Sequence, residues 1–276
     1  MTSLRKETEI SGNGLMKNKP CTVKFVPSKT GRIRYFVKDA GPFEADVENV
    51  LSTQQCVKLG DGKSSVMLTE HLSAALAFCG IDEIDIHVNA GELPALDGSA
   101  KEWVDLFKKA GIEKTGKTRY YTVSEPVYYL NGKTLLVIVP DNELNITYSV
   151  NYDHPNLANR WVSLNTKHPQ EIIEARTFGF YKDLKKFQTL GFAKGVTLEN
   201  TVGLTDNKYT QSEYYTTQLR SEFEPVKHKI LDLIGDLYLT GVNPLNLKAQ
   251  IIAKEAGHAV HIKTAKMLKE KLIECK

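Results

Sequence analysis

Four residues that can bind a metal or carry protons lie close together between positions 228 and 236. If this segment is an α-helix at about 100° per residue, then His228, Asp232, Asp236 and Lys229 project within one wedge of about 100°. The rest of the circumference is mostly apolar and would face a core. A histidine and an aspartate four positions apart can bind one divalent metal, because side chains at that spacing are neighbours on a helix. The alternative is a solvated strip in which the two carboxylates pair with Lys229 and His228.

A second histidine with an acidic neighbour lies at the start of an earlier predicted helix. The stretch 69–80 has apolar side chains at helical spacing, and Gly80 at its end suits the C-terminal end of a helix. Glu70 and His71 therefore lie in its first turn. Catalytic zinc sites commonly use three protein ligands, and His71 would complete such a set if this helix faces the later one. Because the two helices are remote in the chain, spacing alone leaves this arrangement open.

The remaining histidines are less informative. His258 follows Gly257 in a turn before the last predicted helix and is a further candidate. The other four are expected to be surface, core or turn residues: His87, His154, His168 and His261.

Composition limits the class of protein. The chain has 276 residues, a formal net charge of +3 and no basic run interleaved with aromatic residues, which argues against a nucleic-acid partner. Its four cysteines never form a C-x-x-C pair, so a reduced, cytoplasmic setting is expected. No apolar run approaches the roughly 20 residues that span a bilayer.

The order of elements predicts an α+β protein with two similar halves. Each half shows strands, a histidine-bearing helix, a strand and a final helix. Residues 21–37 predict two strands joined by a turn at 28–31. The polar stretch 113–119 is the best linker, so we predict an N-terminal domain at 1–116 and a C-terminal domain at 117–276.

Five motifs make the chain recognisable. They occur in this order: Thr69-Glu70-His71-Leu72, Leu96-Asp97-Gly98-Ser99-Ala100, Ala175-Arg176-Thr177-Phe178-Gly179-Phe180, His228-Lys229-Ile230-Leu231-Asp232 with Gly235-Asp236, and Gly257-His258-Ala259. Together they resemble the zinc-dependent UDP-3-O-acyl-N-acetylglucosamine deacetylases of lipid A synthesis. The resemblance runs from Gly12 to the last helix. It implies two domains, each a β-sheet packed with helices (a β-α-α-β sandwich), with the active site in the cleft between them.

The resemblance also implies roles for the polar residues. It makes His71, His228 and Asp232 the ligands of Zn²⁺, with Fe²⁺ as an alternative metal, and Glu70 the general base on water. The general acid for the leaving amine would be His258. Three further residues are implied around these: Asp236 orients the His258 ring, and Lys229 and Thr177 support the oxyanion.

Substrate contacts follow from the same resemblance. A passage for the acyl chain would be lined by Phe178, Phe180, Leu184, Phe187 and Phe192, although plain core packing is the alternative for these aromatic residues. The resemblance also implies that Tyr152 stacks on uracil and that Lys133 contacts the diphosphate.

The chain departs from the family pattern near the substrate. Met16 stands where the family usually has histidine, and Val196-Thr197 stands where glycine and serine are more common. The implied reaction is hydrolysis of the acetamide on a UDP-linked 3-O-acyl glucosamine by a monomeric enzyme. Two alternatives stay open: a zinc amide hydrolase for another acylated sugar, and a non-catalytic homologue that binds UDP-sugars or lipids.

Overall fold

The computed structural model describes residues 2–38, 40–114, 116–164, 168–209 and 212–275. In the first half the strands are β1 (Thr2–Leu4), β2 (Thr8–Asn13), β3 (Pro20–Pro27), β4 (Ile33–Val37), β5 (Phe43–Glu44), β6 (Val50–Ser52), β7 (Lys58–Gly60), β8 (Ser65–Met67), β9 (Ile84–Val88) and β10 (Ile112–Lys114). The helices of this half are α1 (Glu70–Cys79) and α2 (Lys101–Ala110).

The second half contains the longer helices. Its strands are β11 (Tyr121–Val123), β12 (Val127–Asn131), β13 (Thr134–Pro140), β14 (Asn145–Val150), β15 (Arg160–Ser163), β16 (Thr177–Phe180), β17 (Thr201–Tyr209), β18 (Ser212–Tyr215), β19 (Ala249–Lys254) and β20 (Leu272–Glu274). Its helices are α3 (Gln170–Ile173), α4 (Leu184–Thr189), α5 (Glu224–Tyr238) and α6 (His258–Lys271).

Each half is built on a five-stranded sheet of the same design. The strand order is β2-β3-β9-β4-β5 in the first half and β12-β13-β19-β14-β15 in the second. In both sheets one inner pair is parallel, β4 with β9 and β14 with β19, while the other pairs are antiparallel. The repeated design confirms the predicted α+β fold with two similar halves.

The helices form the layers between the two sheets. Helices α1 and α2 pack together in one half, α5 and α6 pack together in the other, and α1 contacts α5 across the middle. Gly235 allows this contact, because a Cβ at that position would overlap the backbone carbonyl oxygen of Glu70. The close approach brings the first turn of α1 beside the polar residues of α5.

Local signals set the ends of these helices. Gly80 adopts a left-handed φ of 66°, and its N–H bonds to carbonyls in the last turn of α1. Pro225 lies in the first turn of α5, where its missing N–H costs nothing. Every residue of α5 is buried, so the alternative of a solvated polar strip is wrong.

Smaller elements lie beside the two main sheets. A three-stranded sheet, β16-β17-β18, and the short helix α4 lie between the main elements of the second half, next to the site described below. None of the described helices has both the length and the apolar character needed to cross a bilayer. The boundary at 116/117 falls between β10 and β11 and stays a prediction.

Candidate metal centre and active-site cavity

His71, His228 and Asp232 converge where α1 meets α5. The Nε2 atom of His228 lies 3.3 Å from Oδ1 of Asp232, and Nε2 of His71 lies 3.8 Å from the same oxygen. All three side chains are buried, and their ligand atoms lie within 4.8 Å of one another. Among the described residues, this buried Oδ1 has no hydrogen-bond partner. Two imidazole nitrogens therefore face an unsatisfied carboxylate oxygen.

The protonation of the two rings suits a metal site. The Nδ1–H group of His228 donates to the carbonyl oxygen of Ala175 at 2.9 Å, which leaves a lone pair on Nε2. Burial lowers the pKa of His71 to about 3 and also lowers the pKa of His228, so both rings are neutral. Because both rings are neutral, neither forms an ion pair with the carboxylate of Asp232. The donor set therefore fits a divalent cation such as Zn²⁺, which binds imidazole nitrogen and carboxylate oxygen.

Lys229 occupies the other oxygen of the same carboxylate. Its Nζ lies 2.6 Å from Oδ2 of Asp232, and both groups are buried. Burial alone would lower the pKa of Lys229, but the charge of Asp232 raises it above its usual range. Burial alone would raise the pKa of Asp232, but the ammonium of Lys229 holds it well below its usual value. Both groups are therefore charged, and Oδ1 keeps its negative character toward the histidines.

Glu70 and His258 face each other beside this cluster. The Oε1 atom of Glu70 lies 3.9 Å from Nε2 of His258, while its Oε2 accepts the backbone N–H of Val57 at 3.0 Å. Burial raises the pKa of Glu70 to about 7, with the charge of His258 opposing part of that rise. Near neutral pH, Glu70 can therefore either hold or release a proton.

The His258 ring is anchored by a buried aspartate. Its Nδ1 lies 2.7 Å from Oδ2 of Asp236, and Nδ1 of His261 lies 2.7 Å from the same oxygen. Burial alone would lower the pKa of His258, but Asp236 and Asp232 raise it to about 9. These three residues also have ligand-type atoms close together, yet both separations are hydrogen-bond lengths that leave no space for an ion.

A buried ion pair positions the loop that precedes Thr177. The backbone N–H and Nε of Arg176 both donate to Oε1 of Glu224 at 2.9 Å, and Nη2 donates to Oε2 at 3.1 Å. Glu224 begins α5, so the pair ties this loop to the helix that carries His228. The carbonyl of Ala175 is thereby held where His228 can donate to it.

One cavity of about 560 Å³ joins these groups. Its wall contains eight of the polar residues that the sequence predicts for the site: Glu70, His71, Tyr152, Thr177, His228, Lys229, Asp232 and His258. The five predicted apolar residues also line it: Phe178, Phe180, Leu184, Phe187 and Phe192. Residues from both halves thus line one cavity, with a polar cluster and an apolar part of the wall.

Comparison with known proteins decides the family. The family model described as "LpxC: UDP-3-O-acyl N-acetylglycosamine deacetylase" matches residues 1–270. The chain is 33% identical over 271 residues to a UDP-3-O-acyl-N-acetylglucosamine deacetylase from Nostoc sp., covering 94% of each chain. It is 34% identical to proteins of that name from Leptospira biflexa and Citrifermentans bemidjiense, covering 96% and 95% of this chain and 88% and 86% of theirs.

The chain belongs to the UDP-3-O-acyl N-acetylglycosamine deacetylase family. It is accordingly an enzyme, a deacetylase that hydrolyses an amide bond, and the non-catalytic alternative is set aside.

The residues that the resemblance marks as departures from the family pattern lie in the cavity wall. Met16, Val196 and Thr197 all line the cavity. The backbone N–H groups of Met16 and Lys17 donate to the buried carboxylate of Glu92, at 2.5 Å and 3.0 Å. The Glu92 carboxylate therefore holds the loop that carries Met16 through two backbone N–H groups, and the Met16 side chain lines the cavity.

Two predicted residues lie outside the cavity wall of this deacetylase. Asp236 is fully buried behind His258, as its predicted orienting contact requires. Lys133 is exposed in the turn between β12 and β13 and, within the described part of the chain, is not a lining residue.

Sequence reasoning missed several residues of the site. The sequence pattern predicts an ordinary surface or core residue at His261, although its position three residues after His258 on α6 indicates that both rings can reach one carboxylate. Further lining residues lie in β17 and in several loops or turns and belong to none of the five motifs: Leu15, Gln55, Leu68, Tyr181, Ala193, Leu198, Thr201, Gly203 and Thr216.

Proposed function

We propose that this enzyme removes the N-acetyl group from UDP-3-O-(3-hydroxyacyl)-N-acetylglucosamine and releases acetate, the committed step of lipid A biosynthesis. The observation that carries the proposal is the meeting of two neutral histidines, an unsatisfied aspartate oxygen and the Glu70–His258 pair in one cavity with an apolar passage. The substrate named for the relatives has an amide, a sugar nucleotide and an acyl chain, and this cavity offers a surface for each.

His71, His228 and Asp232 would hold the metal, with Zn²⁺ as the proposed ion and Fe²⁺ as the alternative. When bound, a divalent cation lowers the pKa of coordinated water and polarises an amide carbonyl. Glu70 takes the proton from the attacking water. Its pKa of about 7 suits this task, because a base works best when its pKa lies near the operating pH.

His258 donates a proton to the departing amine. Its pKa of about 9 keeps the ring protonated at neutral pH, and Asp236 holds the ring through Nδ1 so that Nε2 faces Glu70. The ammonium of Lys229 and the hydroxyl of Thr177 support the negative charge that develops on the carbonyl oxygen.

The apolar residues of the cavity would receive the acyl chain. Phe178 and Phe180 extend from β16, and Leu184 and Phe187 come from α4. Tyr152 contacts both phenylalanines edge-on, at centroid distances of 5.8 Å and 5.9 Å, so its stacking on uracil would compete with these contacts.

Metal analysis combined with an acetate-release assay tests the proposal. We expect about one equivalent of Zn²⁺ per chain, and turnover of UDP-3-O-acyl-N-acetylglucosamine that falls by orders of magnitude when the acyl chain is absent. Equal turnover of UDP-N-acetylglucosamine would contradict the proposed substrate.

A second candidate is deacetylation of a different acylated sugar. It is favoured by Met16, Val196 and Thr197, which line the cavity and differ from the family pattern. The same assay on several UDP-sugars separates the two candidates by their relative kcat/KM. The contact of Lys133 with diphosphate, the monomeric state and the cytoplasmic location stay predictions.

A further inference from the structure

We propose that His261, supported by Tyr148, is a positioning residue that shares the Asp236 carboxylate with His258 and limits how tightly that carboxylate holds the His258 proton. The inference rests on the proposed function only for the role of His258 as general acid. The contacts themselves involve four buried or nearly buried side chains on α5, α6 and β14.

A single carboxylate oxygen receives both histidines. Oδ2 of Asp236 lies 2.7 Å from Nδ1 of His258 and 2.7 Å from Nδ1 of His261. The other oxygen, Oδ1, is buried and has no partner within the described residues. The two rings are nearly perpendicular, with an interplanar angle of 82°, so each approaches the oxygen from its own direction.

Counting protons shows that His261 is a donor to Asp236. The charge of His258 and the two histidine hydrogen bonds keep the pKa of Asp236 below its usual value against the effect of burial, so this carboxylate only accepts. Both facing Nδ1 atoms must therefore carry hydrogen. On the far side of His261, Nε2 lies 2.9 Å from the hydroxyl of Tyr148, which also lies 2.7 Å from the carbonyl oxygen of Ala256.

The Tyr148 hydroxyl has one hydrogen for two neighbours. If it donates to Ala256, then Nε2–H of His261 donates to the hydroxyl oxygen and the ring is an imidazolium. If it donates to Nε2, the ring is neutral, which burial favours because it lowers the pKa of His261. In both cases Nδ1 of His261 donates to Asp236, so the conclusion does not depend on which form is present.

Among the residues that the structure describes, few other charged groups surround His258. Glu70 faces it from α1, Asp232 and Asp236 face it from α5, and Lys229 on the same helix is paired with Asp232. Two acidic residues of the 3₁₀ turn at 47–49 pair with lysines of α6 instead of His258. Glu48 pairs with Lys266, and Asp46, the N-cap of that turn, pairs with Lys269.

Sharing the oxygen weakens its hold on His258. Each N–H that donates to a carboxylate disperses its negative charge, so a second donor reduces what the first receives. Without the His261 donor, Oδ2 of Asp236 would accept a hydrogen bond from His258 and not from His261. The His258 proton would then be held more strongly, and its transfer to the departing amine would be slower.

NMR titration of the histidine side chains in the zinc-loaded protein tests this. In the unchanged protein we expect both His258 and His261 to show the Nδ1–H form. His261→Phe, which removes the donor, should raise the pKa of His258 by about 0.5–1 unit, and the basic limb of kcat/KM should move upward by the same amount. His261→Asn places an amide N–H near the position of Nδ1 and should restore most of the original pKa.

Two comparisons separate positioning from a general loss of structure. His87→Phe changes an exposed histidine stacked on Phe36 and should leave the His258 titration unchanged. Tyr148→Phe removes only the hydroxyl and should shift the pKa of His258 in the same direction as His261→Phe, by a smaller amount.

Several results would overturn the inference. A neutral His261 ring with its hydrogen on Nε2 and none on Nδ1, seen in the unchanged protein, would overturn it. This result needs no variant, so it applies even if His261→Phe does not fold. An unchanged or lowered pKa of His258 in folded His261→Phe would overturn it as well. The titration requires no substrate, so a protein that fails the acetate assay but shows the expected shift contradicts only the proposed function.

Discussion

Gly235 of α5 lies directly against the backbone carbonyl of Glu70 on α1, closer than any side chain would permit. This contact joins the two halves where Glu70, the His71–His228–Asp232 cluster and His258 lie close together. The glycine therefore has a role in the site although it carries no functional group.

Replacing this glycine should damage both stability and metal binding. Gly235→Ala would force α1 away from α5 and cost about 1–3 kcal/mol of unfolding free energy through overpacking. The affinity for Zn²⁺ should fall too, because His71 would move away from Asp232. Urea denaturation and metal analysis measure the two effects. Gly41→Ala is the matched control, since an added Cβ there meets no atom within 4 Å among the described residues.

Asp232 should be required for the metal and for the charge balance of α5. Asp232→Ala removes a ligand and leaves the Lys229 ammonium buried without its partner, which costs about 3–5 kcal/mol in comparable buried pairs. We expect loss of bound Zn²⁺ in metal analysis and a lower Tm. Asp105→Ala breaks an exposed Asp–Lys pair on α2 and should change neither. Retention of stoichiometric zinc by Asp232→Ala would rule out this ligand.

Glu70 should act on the proton and leave the metal in place. Glu70→Ala should lower kcat by roughly 10²–10⁴-fold, the usual contribution of a general base. Zinc content should stay near that of the unchanged enzyme, because the ligand nitrogen belongs to His71. Glu70→Gln keeps the bond from Val57 and tests the loss of basicity alone. A variant that keeps most of its kcat would remove Glu70 from this role.

The pH profile of kcat/KM should be bell-shaped. Glu70 must be ionised to act as a base, so activity should rise with pH through its pKa of about 7. His258 must be protonated to act as an acid, so activity should fall as pH passes its pKa of about 9. A bound cation would favour the ionised form of Glu70 and move the rising limb to lower pH. A flat profile between pH 5 and 9 would contradict both assignments.

Adjacent residues in the sequence predict the ends of helices but not the order of strands in a sheet. The end of α1 at Gly80 and the start of α5 near Pro225 follow from the conformational preferences of those two residues. The strands predicted on either side of the turn at 28–31 exist as β3 and β4, yet they do not pair. The strand β9 lies between them, because sheet order depends on contacts between distant segments.

Amino-acid order alone determined the polar face of α5, the first-turn position of His71, the two-half organisation and the family resemblance. These follow from helix periodicity and from motifs whose members are adjacent in the chain. Only the tertiary structure decided that α1 meets α5, that Oδ1 of Asp232 lacks a partner among the described residues, and that His258 and His261 share one oxygen of Asp236. Such contacts join residues on different elements, and their distances are set by the packing of whole helices and sheets.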